Sequence, residues 1–485
     1  MDSSRRSRKS AKEASRSRCI GALPMLIMGM VVTSAFQIGS VRGQAPPRAK
    51  NSAVLQAVSG ETSSNLSSAT HDPSSTVVSK PMKQAAAWKS EAVEAAQEIV
   101  KNYPKSAISY ALLGSAYFNI GQSSEAVENL KHCIELDSSQ TDAYEILARV
   151  SYDKGELEEA VRLCEQGLKN GGINLLILHR LGQSLLDLGR AKAAIGILEK
   201  TVKLPGHNSK SFYLLGQSYL QTGNHSAAKK NFQSAIKLTP DHTQAFFGLF
   251  MACMRLEQTE SAKQYREQFL KLEAIDRRAL TDRSGQEDTL SGLPMVRETA
   301  GRTFFGAGQI NRYYKQNRKA EKLFLKAAII DPEQIQSRAA LEDLLMRRKA
   351  LPEAVSIFKK LTAEQPNSSL NHLFLGKIYY RLQQFEPAEK AFLKVLELAP
   401  ERPDGYRALI ELYLKSNREP IEARNLAERL LELEPESGPN LYLLAFSRIR
   451  NNDRPGAVEA MEQAVILSPG NKRFQTFLQQ LKKAP

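Results

Sequence analysis

A period of 34 residues runs through this chain and limits what it can fold into. Gly121, Gly155, Gly189 and Gly223 stand 34 residues apart, and Ala126, Ala160, Ala194, Ala228 and Ala262 keep the same step. Two residue types held in phase over that distance mark a stacked array, in which each unit buries its apolar face against the next. The copy from Ser209 to His242 shows the logic. Phe212, Leu215, Gly216 and Tyr219 form one stripe of a first helix. Gly223 follows where a left-handed residue is needed to end that helix. Ala228, Phe232, Ala235 and Ile236 make the stripe of a second helix, and Pro240 stops it. Gly216 and Ala228 are small so that the two backbones can approach closely.

This unit resembles the tetratricopeptide repeat, a helix–turn–helix module of the same length. The resemblance rests on Phe212, the Leu215-Gly216 pair, Tyr219, Ala228, Phe232, Ala235 and Pro240. It implies an all-α fold, a right-handed superhelical solenoid of tetratricopeptide helix–turn–helix repeats. Full copies start near Ala107, Thr141, Leu175, Ser209 and Thr243. The second has Ser151 in the tyrosine slot, with Tyr152 one place late. The third closes on Gly206 instead of proline, and the fifth has Glu257 in place of the turn glycine. The phase then breaks, because Ala262 to Ala320 is 58 residues. It resumes with Ala320, Ala354 and Ala388, and with Pro332, Pro366 and Pro400. One residue is inserted near Asn417–Pro420, and the last copy ends at Pro469.

These phases predict two blocks: 84–280, opened by a half-repeat cap carrying Trp88, Ala92, Ala96, Ile99 and Val100, and 295–471. A joint at 281–294 separates them. The helix starting near Ser261 is expected to overrun to about Leu280, followed by an exposed loop ending at Pro294. Residues 472–485 are expected to form a capping helix with Phe474, Phe477, Leu478 and Leu481 on one face.

The 485-residue chain carries a net charge of +15. Eight basic residues against two acidic ones fall in 1–43, which leaves +9 for the rest, modest for its length. No zinc-finger spacing, basic zipper or aromatic-basic RNA motif accompanies the charge, so no nucleic-acid partner is expected. Residues 1–18 are basic and serine-rich, and Ile20–Ile38 is mostly apolar, which reads as a secretory signal or signal anchor over 1–43. Gly21, Pro24, Gly29, Thr33, Ser34 and Gln37 interrupt the run and make it a poor permanent span. Residues 44–83 are rich in Ser, Thr, Ala and Pro and read as a disordered tether reaching about 35 Å. The chain is therefore expected to be exported: to the periplasm or cell envelope if bacterial, otherwise secreted or membrane-anchored, with 20–38 as the tethering segment.

No catalytic constellation is present. The sequence has no Gly-x-Ser-x-Gly elbow, no phosphate-cradling Gly-Lys-Ser/Thr loop, no His-Glu-x-x-His and no Cys-x-x-Cys-His. No enzyme, cofactor or metal site is expected. Cys133, Cys164 and Cys253 fall on faces that the repeat buries, which argues against a disulfide framework.

Function then belongs to the surface. The resemblance implies that first helices line a concave groove receiving a peptide or helix of a partner. Carried onto this chain, the groove positions include Arg149, Tyr152, Tyr213, Gln217 and Phe247 in block one. In block two they include Arg302, Arg347, Lys377, Tyr380, Arg381, Arg407, Lys415, Tyr442 and Arg450. The second set interleaves cations with aromatics and suits an acidic, partly apolar segment. One tetratricopeptide subgroup grips chaperone C-termini with a lysine and an asparagine. Ala111 and Ser115 stand at those positions here, which argues against a chaperone adaptor. The reading is an exported, non-enzymatic scaffold that binds protein partners. The alternatives are a membrane-anchored envelope assembly or secretion factor, and a regulatory subunit of an enzyme carried on a separate chain.

Overall fold

The computed structural model describes residues 80–285 and 293–483. The expected signal, nearly all of the expected tether and the middle of the expected joint lie outside the described residues. Among the described residues there are 22 helices and no strand. In the first part of the chain they are α1 (Lys80–Asn102), α2 (Ala107–Asn119), α3 (Ser123–Leu136), α4 (Thr141–Asp153), α5 (Leu157–Gly171) and α6 (Leu175–Asp187). There follow α7 (Ala191–Thr201), α8 (Ser209–Gln221), α9 (His225–Leu238), α10 (Thr243–Arg255), α11 (Thr259–Gly285) and α12 (Leu293–Tyr313). The second part holds α13 (Asn317–Ile330), α14 (Ile335–Arg347), α15 (Leu351–Glu364), α16 (Ser369–Arg381) and α17 (Phe385–Leu398). It ends with α18 (Pro403–Ser416), α19 (Pro420–Leu433), α20 (Gly438–Arg450), α21 (Arg454–Leu467) and α22 (Lys472–Lys483). The chain is an all-α repeat solenoid.

The first helices α2, α4, α6, α8 and α10 begin at the residues where the period places them. Each packs on the second helix that follows, and α3, α5, α7 and α9 each pack on the next first helix. The small slots do what their size requires. A Cβ on Gly216 would stand 2.7 Å from the Phe232 ring, and Ala228 is fully buried beside it. Burying a ring such as Phe232 contributes about 2–3 kcal/mol, which is kept only while the two helices stay in register.

The turn slot keeps its conformation after it loses its residue. Gly121, Gly155, Gly189 and Gly223 have φ of 84°, 81°, 74° and 82°. Glu257, Lys315, Lys349, Gln383, Asn417 and Asn452 stand at the same place in later repeats, with φ between 54° and 61°. A side chain there costs about 1–2 kcal/mol, so helix packing imposes the left-handed turn in the later copies. The residue inserted near Asn417–Pro420 is absorbed by a second left-handed residue, Glu419, at φ 45°.

The described helices form two compact units, divided between Tyr314 and Lys315. The division falls later than the expected joint at 281–294. Pro294 does not end a loop; it lies in the first turn of α12, where its missing N–H has no helical partner to lose. α12 belongs to the first unit and packs on α1 and α2. α1 is a second-helix stripe, with Trp88, Ala92, Ala96 and Ile99 buried. α12 supplies the first helix that this stripe lacks in sequence. Arg297 lies 5.5 Å from the Trp88 ring centre, Tyr103 stacks on Tyr314 at 4.0 Å, and the Tyr103 hydroxyl donates to Asn311 Oδ1 at 3.0 Å. The expected half-repeat is thus completed by a helix about 200 residues away in sequence. α11 runs for 27 residues, about 40 Å.

In the second unit a buried polar ladder repeats. Arg338 is fully buried, and its guanidinium donates to Asn371 Oδ1 (2.6 Å) and to the carbonyls of Ala328 (2.9 Å), Asp331 and Gln334 (both 3.1 Å). Arg407 does the same for Asn440 at 3.1 Å and for Glu434. At the end of the unit α22 packs on α21, with Phe474 and Leu481 buried.

Candidate partner-binding groove

In the first unit the first helices bring several polar groups to one face. Arg149 of α4 lies 5.0 Å from the Phe118 ring centre of α2 and 3.9 Å from Asp153. The Tyr152 hydroxyl donates to Asp187 of α6, and the Arg180 guanidinium stands 5.1 Å from the centre of its ring. Burial, then that hydrogen bond to an anion, raises the Tyr152 pKa well above the usual phenol range. On α8, Gln217 donates to the Tyr213 hydroxyl at 2.7 Å, and burial lifts Tyr213 to about 12. Phe247 of α10 packs on Phe269 at 5.2 Å yet stays 45% exposed. Arg302 lies on α12, so it belongs to this unit and not to the second, and it pairs with Glu298 at 3.6 Å.

In the second unit Lys377 stands 5.0 Å from the Phe374 ring centre, and Lys415 of α18 stands 4.8 Å from that of Tyr380 on α16. Arg381 reaches Glu342 of α14 at 3.3 Å. Glu342 is buried, which raises its pKa, while Arg381 and Lys377 pull it back down. Arg347 is exposed and paired with Asp343 at 2.9 Å. Arg450 donates to Asn417 Oδ1 at 2.9 Å and lies 5.8 Å from the Phe446 ring centre.

Two of the sequence-derived residues are engaged inside the chain. Arg407 is held by Asn440, Glu434 and Asp404. Tyr442 stacks on Phe474 of α22 at 5.5 Å, meets Phe477 at 5.3 Å, and carries Arg473 at 4.8 Å from its ring centre. The capping helix therefore covers the aromatic slot that a further first helix would otherwise cover.

Two residues that pattern reading passed over join the first unit's face. Arg180 sits at a slot that no other copy marks with a cation in register, and Lys210 shares its slot only with Arg302. The contact of Arg180 with the Tyr152 ring of the preceding first helix emerges only when successive first helices stack. Among the described residues no group of three His, Cys, Asp or Glu side chains is placed to hold a metal, and no helix is long and apolar enough to cross a membrane.

Comparison with known proteins agrees with this architecture. Profiles described as tetratricopeptide repeat match residues 107–140 and 345–412. Those two stretches are tetratricopeptide repeats. A further profile, for subunit 3 of the anaphase-promoting complex (cyclosome), matches residues 187–267. Subunit 3 of that complex from Schizosaccharomyces pombe is 26% identical over 125 residues, which is 26% of this chain. This chain spans 19% of the length of that relative. Among solved structures, YrrB, described as a TPR protein with an unusual peptide-binding site, is 22% identical, with 40% of this chain and 99% of its own covered at a TM-score of 0.35. Yeast Tom70 is 17% identical, with 82% of this chain and 96% of its own covered at a TM-score of 0.34.

Proposed function

We propose that this protein is an exported, non-enzymatic scaffold whose first-helix faces hold segments of protein partners, acidic ones in the second unit. The observation that carries the reading is the alternation of cations, Arg381 and Lys415 exposed and Lys377 half-buried, with rings on α16 and α18. Lys377, Arg381 and Lys415 stand over or beside Phe374 and Tyr380, with the buried Glu342 as the neighbouring anion. Cations held over rings keep their charge while their stems cover apolar surface, a combination that suits carboxylates set among apolar side chains. The basic, serine-rich start and the apolar run at 20–38 support export, with the segment 44–83 as a spacer.

The test is affinity capture from native cells with the full chain, beside Lys415→Glu, read by mass spectrometry. Arg381 and Arg407 are left intact because reversal would break their contacts with the buried Glu342 and with Asn440 and Glu434. The expected result is one stoichiometric protein, bearing an acidic segment, that is lost from the variant while the melting temperature is unchanged. Equal capture by both proteins would remove the groove assignment. The N-terminal residue of the mature protein, read by mass spectrometry, tests export: an intact Met1 in soluble cell extract would overturn that part.

A further inference from the structure

The α10–α11 hairpin presents an apolar face at slots that a following repeat covers in the earlier copies. Along α10, Phe247, Phe250, Met251 and Met254 fall at helical spacing and form one stripe. The same slots of the preceding copy hold Tyr213, Gly216, Gln217 and Leu220. In earlier copies the next repeat meets the slot of Phe247. Arg180 reaches Glu145 at 3.6 Å, His179 Nε2 lies 2.7 Å from Ser211 Oγ, and the ring centres of Tyr213 and His242 are 5.0 Å apart. Phe247 itself is exposed, and Met254 is 52% exposed where Leu186, at its slot, is 7%. α11 repeats the pattern. Leu270 is 47% exposed, whereas Ile134, Leu168, Val202 and Ile236 at its slot are half-buried against the core.

The next first helix of the chain does not serve this face, because α12 packs on α1 and α2. A solenoid end left in water carries a polar outer face. α22 does so in the second unit, with Gln475, Thr476, Gln479 and Gln480 exposed. The α10–α11 end instead offers rings, thioethers and a leucine. It is also firmly built: Phe269 packs on Phe247 at 5.2 Å, and Thr243 Oγ1 donates to Asp276 Oδ2 at 2.8 Å.

α11 carries its own complement. The flank that bears Leu270 also bears Glu267, Ala274 and Arg277, all exposed. Laid antiparallel on a second α11, with the two-fold axis at the level of Leu272, this flank sets Leu270 opposite Ala274 and Glu267 opposite Arg277, each twice. Large meets small and anion meets cation. α10 and α11 together offer about 60 Å of helix about 10 Å wide, or about 1,200 Å² over two copies, the lower end of specific interfaces.

We propose that a second copy of this chain covers the face, α11 antiparallel to α11, in a two-fold dimer made by the first unit. Such a contact closes at two copies. Phe247 then serves the dimer and not the partner groove, and each dimer carries two second-unit grooves.

The experiment is sedimentation velocity of the full chain from about 1 to about 100 µM. The wild type is compared with Phe247→Glu, Leu270→Glu, Glu267→Arg, and Glu267→Arg combined with Arg277→Glu. The wild type is expected to pass from one copy to two with a micromolar midpoint. Phe247→Glu and Leu270→Glu should each raise the dissociation constant by about tenfold or more, with circular dichroism unchanged because both sites are exposed. Glu267→Arg brings like charges together twice and should weaken the dimer about tenfold, and adding Arg277→Glu should restore it to within about threefold. A wild type that stays monomeric overturns the proposal and leaves the face to the apolar run at 20–38 or to a different protein. A dimer that persists in both glutamate variants, or growth beyond two copies, overturns the α10–α11 contact. Failure of the double reversal to recover overturns the antiparallel register. The groove reading is tested apart from this, since partner capture lost with Lys415→Glu concerns the second unit alone.

Discussion

His179, in the third repeat, ties the stability of the first unit to pH. It is 3% exposed, its Nε2 lies 2.7 Å from Ser211 Oγ, and burial, then Lys210 and Arg180, push its pKa down to about 3. An unfolded histidine titrates near 6.5, so between those values the unfolded chain holds a proton that the native ring does not. The stabilisation is complete above about pH 6.5 and is lost as pH falls, by up to about 1.4 kcal/mol per pH unit. Thermal melts from pH 7 to pH 4 should therefore fall more steeply for wild type than for His179→Gln. Parallel curves would show that another group controls the acid limb. In sequence, His179 was one of seven scattered histidines. The serine that holds it lies 32 residues away on the next first helix, a contact that only stacking creates.

At the scale of elements, the helix–turn–helix hairpin is held by a contact between a small residue and a ring. Ala228 is fully buried where α9 meets α8, and Phe232 fills the space over Gly216. Ala228→Arg would drive a long charged chain into that contact, and about 3–5 kcal/mol of stability should be lost. An unchanged denaturation midpoint would mean that the register of the repeat is misassigned. This part of the fold was legible in the sequence, because the small–large complementarity recurs at one period. The pairing of α1 with α12 was not. Trp88, Ala92 and Ala96 announce a second helix, but a stripe states what it must bury and not which helix buries it. Tyr442 has the same limit: its slot reads as open, and the rings of α22 fill it.

For the whole molecule, a repeat array transmits strain to neighbours and little further, because each unit touches only those beside it. A Cβ on Gly376 would overlap the Phe392 ring. Gly376→Ala should lower amide protection through α16 and α17, and in the adjoining α15 and α18, while α2 to α9 keep theirs. Hydrogen exchange read by mass spectrometry checks this, and uniform loss across both units would show that the chain unfolds as one cooperative body.

The sequence by itself determined the unit, its length, the helices of each copy and the residues that face the core. All of these follow from local geometry repeated at a fixed step, and so leave a periodic trace. The tertiary structure decided which helix completes the half-repeat, and where one unit ends and the next begins. It also decided which polar residues meet. Tyr152 meets Asp187 and His179 meets Ser211 across different repeats at different slots, and Arg407 turns inward to Asn440 and Glu434. Such contacts join positions with no common phase, so no period in the chain records them.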